Sequence, residues 1–254
     1  MNILVSNDDG IKARGLAELT KALSKKGSVY VCAPNSQRSA SSHALSVNNE
    51  ITMKKIDFDG ATMAFEIGGT PADCVKLGLY VLRKMGIDID IVYSGINHGG
   101  NLGTDTMYSG TVSAAAEGLF NGLPAVAVSV NDHQASHFEG ACKLAVDILP
   151  KMMEEGRNLG VVSINTPDIP LEEIRGVKTA KLGTIGYHEW FDAVAEEGEQ
   201  ITYKYSGYHK ELDCWTDETD AKLVRDGYAT ISSLKYDQND PEGNEKIDKW
   251  EVKI

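Results

Sequence analysis

The chain begins Met1-Asn2-Ile3-Leu4-Val5-Ser6-Asn7-Asp8-Asp9-Gly10. The apolar run at residues 3–5 stops at two adjacent carboxylates and a glycine. That pattern predicts a first β-strand spilling two acids into the loop at its carboxyl end. In an open α/β sheet, ligands bind in the crevice beyond those ends. Neighbouring carboxylates repel each other, and partial burial is costly unless a cation neutralises them. Taken alone, the stretch is equally a polar turn, with Asp9-Gly10 as turn chemistry and an aspartate capping the next helix. The rest of the chain decides between these readings.

Working outward, residues 15–26 carry Leu16, Leu19 and Leu23 at helical spacing, and residues 28–33 (Ser-Val-Tyr-Val-Cys-Ala) predict a second strand. Residues 51–56 and 62–67 predict a hairpin around Asp59-Gly60. Thr70-Pro71 predicts a helix start, with Thr70 as N-cap, Pro71 at the first helical position and Asp73 in the first turn. A strand at 89–94 leads into a long Gly/Asn loop, and Ser109 starts an Ala-rich helix ending near Asn121-Gly122. Strands at 125–130 and 161–165 flank a helix at 138–155. Strands separated by helices of this length predict an α/β fold with a doubly wound, mostly parallel sheet over residues 1–175.

Beyond residue 175 the pattern changes. Short β-like pieces at 177–181, 200–205 and 228–234 mix with one helix at 217–225, and acids dominate: Glu189, Asp192, Glu196, Glu197, Glu199, Glu211 and Asp213. Residues 176–254 read as a hairpin-rich extension. It is either a solvated flap or an oligomerisation arm. Trp190, Phe191, Tyr203, Tyr205, Tyr208 and Trp215 favour the arm, because so many aromatics are costly to leave in water.

Composition bounds the function. The 254 residues are 42% hydrophobic, enough for a real core, and the formal net charge of −12 argues against a general binder of nucleic acid. A phosphorylated small molecule would need local positive charge from a metal, an Arg or a helix N-terminus. No apolar stretch is long enough for a membrane span, and no basic, then apolar leader opens the chain, so the expectation is a cytoplasmic protein without a membrane partner. Cys32, Cys74, Cys142 and Cys214 are scattered, with no zinc spacing, and read as reduced thiols.

Three polar loops follow three apolar strands: Asn7-Asp8-Asp9-Gly10, residues 34–43 and residues 94–103. In a parallel sheet such loops share one edge and can converge. Two carboxylates, several hydroxyls and two Asn amides form an oxygen-rich set, which suits Mg²⁺, Mn²⁺ or Ca²⁺ rather than zinc. His43 and His98 lie in these loops without metal-pair spacing, and loop structure or substrate contact suits them better. Ser109-Gly110-Thr111 reads as a helix N-terminus, either an ordinary cap or, so close to a candidate metal loop, a phosphate site. Arg38 is either a surface residue or added charge for that site. There is no G-x-G-x-x-G after the first strand, no Walker lysine motif and no G-x-S-x-G elbow. Metal-assisted phosphoester chemistry is what remains.

At this point the residues resemble a known family. Residues 2–10, Ala-Pro-x-x-x-Arg-Ser at 33–39, Gly-Thr-Pro-Ala-Asp-Cys-Val at 69–75, Ser-Gly-Ile-Asn-x-Gly-x-Asn at 94–101 and Tyr-Ser-Gly-Thr-Val-x-Ala-Ala-x-Glu-Gly at 108–118 are together similar to the SurE family of metal-dependent 5′/3′-nucleotidases. The resemblance implies a Rossmann-like catalytic domain, a swapped C-terminal extension and a homodimer or homotetramer. It implies one divalent metal ion per subunit, Mg²⁺ or Mn²⁺, held by Asp8, Asp9, Ser39 and Asn97. It also implies release of phosphate from nucleoside monophosphates, with short-chain polyphosphate as a further substrate. In this reading Asp8 or Asp9 acts on the attacking water, Ser109, Gly110 and Thr111 hold the phosphate, and Asn101 hydrogen-bonds its oxygens. Asn35, Ala40-Ser41-Ser42 and Asn121 depart from the family pattern but spare these residues. The competing readings are a non-catalytic nucleotide-binding oligomer, which would bind without turnover, and a glycosyltransferase-like protein, which would transfer from a nucleotide sugar.

Overall fold

A computed structural model describes residues 1–210 and 215–250; Glu211, Asp213 and Cys214 lie outside the described residues. The chain opens with β1 (Asn2–Ser6), α1 (Arg14–Leu23) and β2 (Ser28–Pro34). The hairpin β3 (Met53–Ile56) and β4 (Met63–Ile67) follows, then α2 (Pro71–Lys84), β5 (Ile91–His98), α3 (Gly110–Phe120) and β6 (Ala125–Val130). Next come α4 (Glu139–Asp147), α5 (Leu149–Glu155), β7 (Val161–Thr166) and β8 (Val177–Thr179). The long strands β9 (Gly186–Glu197) and β10 (Gln200–Lys210), then α6 (Asp220–Arg225), β11 (Ala229–Leu234) and α7 (Pro241–Asp248), complete the described chain.

Nine strands form one sheet in the order β3-β4-β2-β1-β5-β6-β7-β11-β8. The six from β4 to β7 run parallel, while β3 and β11 pair antiparallel to β4 and β7. The expected α/β class and mostly parallel sheet are therefore what the chain adopts. α1 and α4 pack on one face, over a core that includes Leu16, Leu19, Tyr93 and Phe138. α2 and α3 pack on the other, over Leu4, Val75, Leu82 and Val112. Cover on both faces explains why β6 is apolar along almost its whole length and buried throughout. Each fully buried Leu or Val there stabilises the fold by about 1.5–3 kcal/mol.

Chain order puts β2 on one side of β1 and β5 on the other. The crevice of an open α/β sheet forms at such a reversal, here at the carboxyl ends of β1 and β5. α1 must also come close to that end: a Cβ at Gly15 would lie 2.0 Å from the Ile96 carbonyl oxygen, so only glycine fits.

Several elements differ from their sequence expectation. The strand expected to end at Ser94 continues to His98, with a register shift between Ser94 and Asn97 against β6, so half of the expected Gly/Asn loop is strand. The expected helix at 138–155 is two helices meeting at Ile148, because Pro150 supplies no N–H for an unbroken ladder. The hairpin is longer than expected, with β9 and β10 paired over their full lengths in a separate two-stranded sheet. β8 and β11, from the extension, join the main sheet. No helix among the described residues is long and apolar enough to cross a membrane.

Candidate active site

The three polar loops meet. The Arg38 N–H donates to the Asp8 carbonyl at 2.7 Å and the Ile11 N–H to the Pro34 carbonyl at 2.8 Å, which ties the loop after β1 to the loop after β2. The His98 N–H donates to Asp9 Oδ2 at 3.0 Å, which ties it to the end of β5. Ser42 anchors the middle loop further, its hydroxyl donating to the Met107 carbonyl at 2.8 Å just ahead of α3.

Asp8 is 5% exposed. Its carboxylate accepts from the Thr111 hydroxyl in the first turn of α3. A Cβ at Gly110 would lie 2.7 Å from Asp8 Cβ and 2.9 Å from Oδ2, so glycine is what lets this helix end reach the acid. Burial pushes the Asp8 pKa up to about 6; the hydrogen bond from Thr111 opposes that rise and the charge of Asp9 adds to it. Part of the positive helix end is thus met by a carboxylate of the protein itself.

Asp9 is held differently. Oδ2 also lies 3.0 Å from His98 Nδ1, and this hydrogen bond raises the His98 pKa above its usual value. Oδ1 receives a longer bond, 3.4 Å, from the Gln37 amide, which also donates to Ser39 Oγ at 2.9 Å. Gln37 therefore links the exposed Ser39 to the acid pair. Asn97 commits its Nδ2 to the Gly99 carbonyl at 2.7 Å, leaving its amide oxygen as the acceptor end.

Two carboxylates, a hydroxyl and an amide oxygen form a hard donor set at one edge of the sheet, suited to a divalent cation of the Mg²⁺ or Mn²⁺ type. The electrostatics agree, since a buried acid driven toward its protonated form beside a second acid is relieved by a cation. Ser6 Oγ, Asn7 Oδ1 and Ser94 Oγ, buried at the same strand ends, have no hydrogen-bond partner among the described residues.

The other expected site residues are placed as follows. Ser109 is the N-cap of α3, its hydroxyl accepting from the Val112 N–H at 3.0 Å. Asn101 is buried, and its hydrogen bonds run to Asn165 and Ser129 rather than to the acid pair. Arg38 is exposed and reaches the site through its backbone. His43 serves loop structure, with Nε2 2.8 Å from Glu117 Oε1, while Lys76 Nζ donates to Glu117 Oε2 at 2.8 Å. The sequence reading gave His43 and His98 to loop structure or substrate contact, and missed Glu117 and Lys76 as partners in this clamp and Gln37 as a link to Asp9. The available signal was Glu117 itself, a lone acid in a helix of small apolar residues.

Residues 3–189 match the family model described as Survival protein SurE. A protein of Petrotoga mobilis named 5′-nucleotidase SurE is 40% identical over 243 residues, which is 93% of this chain and 96% of the relative. A protein of the same name from Desulforamulus reducens is 40% identical over 253 residues, 98% of each chain. The crystal structure of SurE protein from Aquifex aeolicus matches with a TM-score of 0.83 at 34% identity, covering 99% of this chain and 100% of the other.

Proposed function

The chain belongs to the SurE family, and we propose that it is a metal-dependent phosphoric monoester hydrolase, a 5′-nucleotidase that converts nucleoside 5′-monophosphates to nucleoside and phosphate. The observation that carries this reading is the contact between Asp8 and the N-terminus of α3 at Gly110 and Thr111. It joins a cation-seeking acid pair to an anion-seeking helix end, the two features a metal-assisted phosphatase needs side by side.

In this reading Asp8, Asp9, Ser39 and Asn97 hold one Mg²⁺ or Mn²⁺ per chain. Such an ion would polarise a phosphoryl oxygen and bring the pKa of water toward neutrality. Ser109, Gly110 and Thr111 receive the phosphate at the helix end, while Asn101, whose amide is spent on Ser129, stays outside that contact. Asp9, the more accessible acid, orients the attacking water and takes its proton, while His98 fixes the carboxylate. Attack by water is preferred to an aspartyl-phosphate, because carboxylates committed to a cation are poor nucleophiles. The site reads the phosphate and not its point of attachment, so 3′-nucleotides and short polyphosphates are substrates as well. Residues 1–175 carry the chemistry, and residues 176–254 build a homodimer or homotetramer through the β9–β10 hairpin, whose Phe191 and Tyr203 are 65% and 57% exposed.

The test is inorganic phosphate release from 5′- and 3′-nucleoside monophosphates and tripolyphosphate in EDTA, Mg²⁺ or Mn²⁺. Release that requires the metal supports the reading. Binding of nucleotides without release under any condition sinks it.

A further inference from the structure

Asp220, the first residue of α6, is 1% exposed. Burying a carboxylate is costly unless hydrogen-bond donors surround it. Here the donors are backbone N–H groups. Gly183 and Ala221, both in the C-terminal extension, donate to Oδ1 at 2.9 and 2.8 Å. Gly103 donates to Oδ2 at 2.7 Å, from 117 residues earlier in the chain. Burial raises the Asp220 pKa, and these three N–H groups oppose the rise. One acid of the extension is thus fastened to a loop of the main sheet.

Gly103 opens a short 3₁₀ turn, Gly103–Met107, which leads to Ser109 and the N-terminus of α3. The extension grips this turn at two further points. The Ile185 N–H donates to Thr104 Oγ1 at 3.1 Å, and the Tyr187 hydroxyl to Asp105 Oδ2 at 2.5 Å. A Cβ at Gly103 would lie 2.2 Å from the Gly183 carbonyl oxygen, so the two backbones meet with no room for a side chain. Leu102 packs with Ile185, Ala221 and Val224 beside the same contact. The far end of the turn reaches the candidate site. Ser42 donates its hydroxyl to the Met107 carbonyl at 2.8 Å and its N–H to the Tyr108 carbonyl at 3.0 Å, and Ser109 caps α3.

We infer that Asp220 is a positioning residue: it fixes the 103–107 turn, and through it the helix end at Ser109, Gly110 and Thr111 that receives the phosphate. The extension then serves the reaction within its own chain, beside any part in assembly. The inference rests on the phosphatase reading of that helix end. Of the proposed cation ligands, Asp8, Asp9 and Asn97 lie at the ends of β1 and β5, outside the turn. Loss of the Asp220 carboxylate therefore separates two properties, weakening phosphate and sparing the cation. An amide at this position accepts through one oxygen only and turns an NH₂ group toward the other N–H donors, so part of the grip is lost with almost no change in shape.

The test compares the full chain with its Asp220→Asn, Thr104→Val and Leu223→Ala variants. It measures KM for adenosine 5′-monophosphate, inhibition by inorganic phosphate, Mn²⁺ affinity and Tm. Asp220→Asn is expected to raise KM and the phosphate inhibition constant about tenfold, with Mn²⁺ bound as in wild type. Thr104→Val, which removes the neighbouring tie from the side of the turn, raises both in the same direction. Leu223, buried on the same helix outside the Leu102 cluster, is the control: Leu223→Ala lowers Tm and leaves KM in place. An Asp220→Asn protein with wild-type KM and phosphate inhibition would overturn the inference, as would one that loses Mn²⁺ and phosphate alike. So would a Leu223→Ala protein whose KM rises as far, since the extension would then act through stability alone. If Asp220→Asn does not fold, Thr104→Val decides, and a wild-type KM there overturns the inference. No phosphate release from wild type with any metal would overturn the phosphatase reading, and the inference with it.

Discussion

Glu117 shows how a single buried acid holds the site's frame. Its side chain is 3% exposed and is shared between His43 and Lys76. Burial raises its pKa, but the hydrogen bonds from His43 and Lys76 outweigh that, and the carboxyl ends below its usual value of 4.5. A lowered pKa in the fold means stability that is fully present above 4.5 and lost as pH falls through the lowered value. Thermal melts from neutral to acid pH are expected to show Glu117→Gln less stable than wild type at neutral pH, with the gap closing toward acid. Parallel curves at all pH values would contradict the assignment. The clamp spans 74 residues of sequence and the Asp9–His98 contact 89, so no local spacing announces either. Asp8, Asp9, Ser109, Gly110 and Thr111 stand out in the sequence because each lies just past a strand or at a helix start, where local chemistry is informative.

At the scale of elements, α2 and α3 carry the loops. Thr70 closes a capping box with Asp73: its hydroxyl accepts from the Asp73 N–H at 3.1 Å, and its own N–H donates to Asp73 Oδ2 at 2.9 Å. The same hydroxyl donates to the Ala44 carbonyl at 2.7 Å, fastening the loop after β2 to the helix start. Thr70→Ala is expected to cost about 1 kcal/mol, lowering Tm by about 2–4 °C in a chain of this size. An unchanged melting curve would mean that the cap is idle. Both helix starts were legible because Thr70-Pro71 and Ser109-Gly110 are local signals. The far reach of β5 was not, since Gly95 and Asn97 read as loop residues while pairing with β6 supplies the strand. The first arm of the hairpin was hidden in the same way. Its acids are costly in a half-buried strand but not in a two-stranded ribbon exposed on both faces.

At the scale of the whole molecule, the reversal of strand order around β1 gathers the three polar loops, and the hairpin forms a separate two-stranded ribbon. Trp190, Phe191, Tyr205 and Tyr208 lie on it at 42–65% exposure. Such a surface is an expected contact between copies. Phe191→Asp combined with Tyr203→Asp is expected to lower the mass measured by light scattering, and an unchanged mass would remove the hairpin from assembly. The doubly wound sheet was legible from the alternation of strands and helices. The joining of β8 and β11 to its edge was not, because it depends on pairing across more than fifty residues, as at Thr230 with Lys178 and with Asn165. In the proposed function Asp8 and Asp9 hold a metal ion that supports phosphate release. The most direct test counts bound Mn²⁺ per chain by electron paramagnetic resonance, in wild type and Asp9→Asn, and measures phosphate release from a nucleoside 5′-monophosphate in the same samples. One tightly bound ion with release in wild type, and loss of both in Asp9→Asn, is the predicted result. An Asp9→Asn protein that keeps its ion and its turnover would remove Asp9 from both metal binding and catalysis.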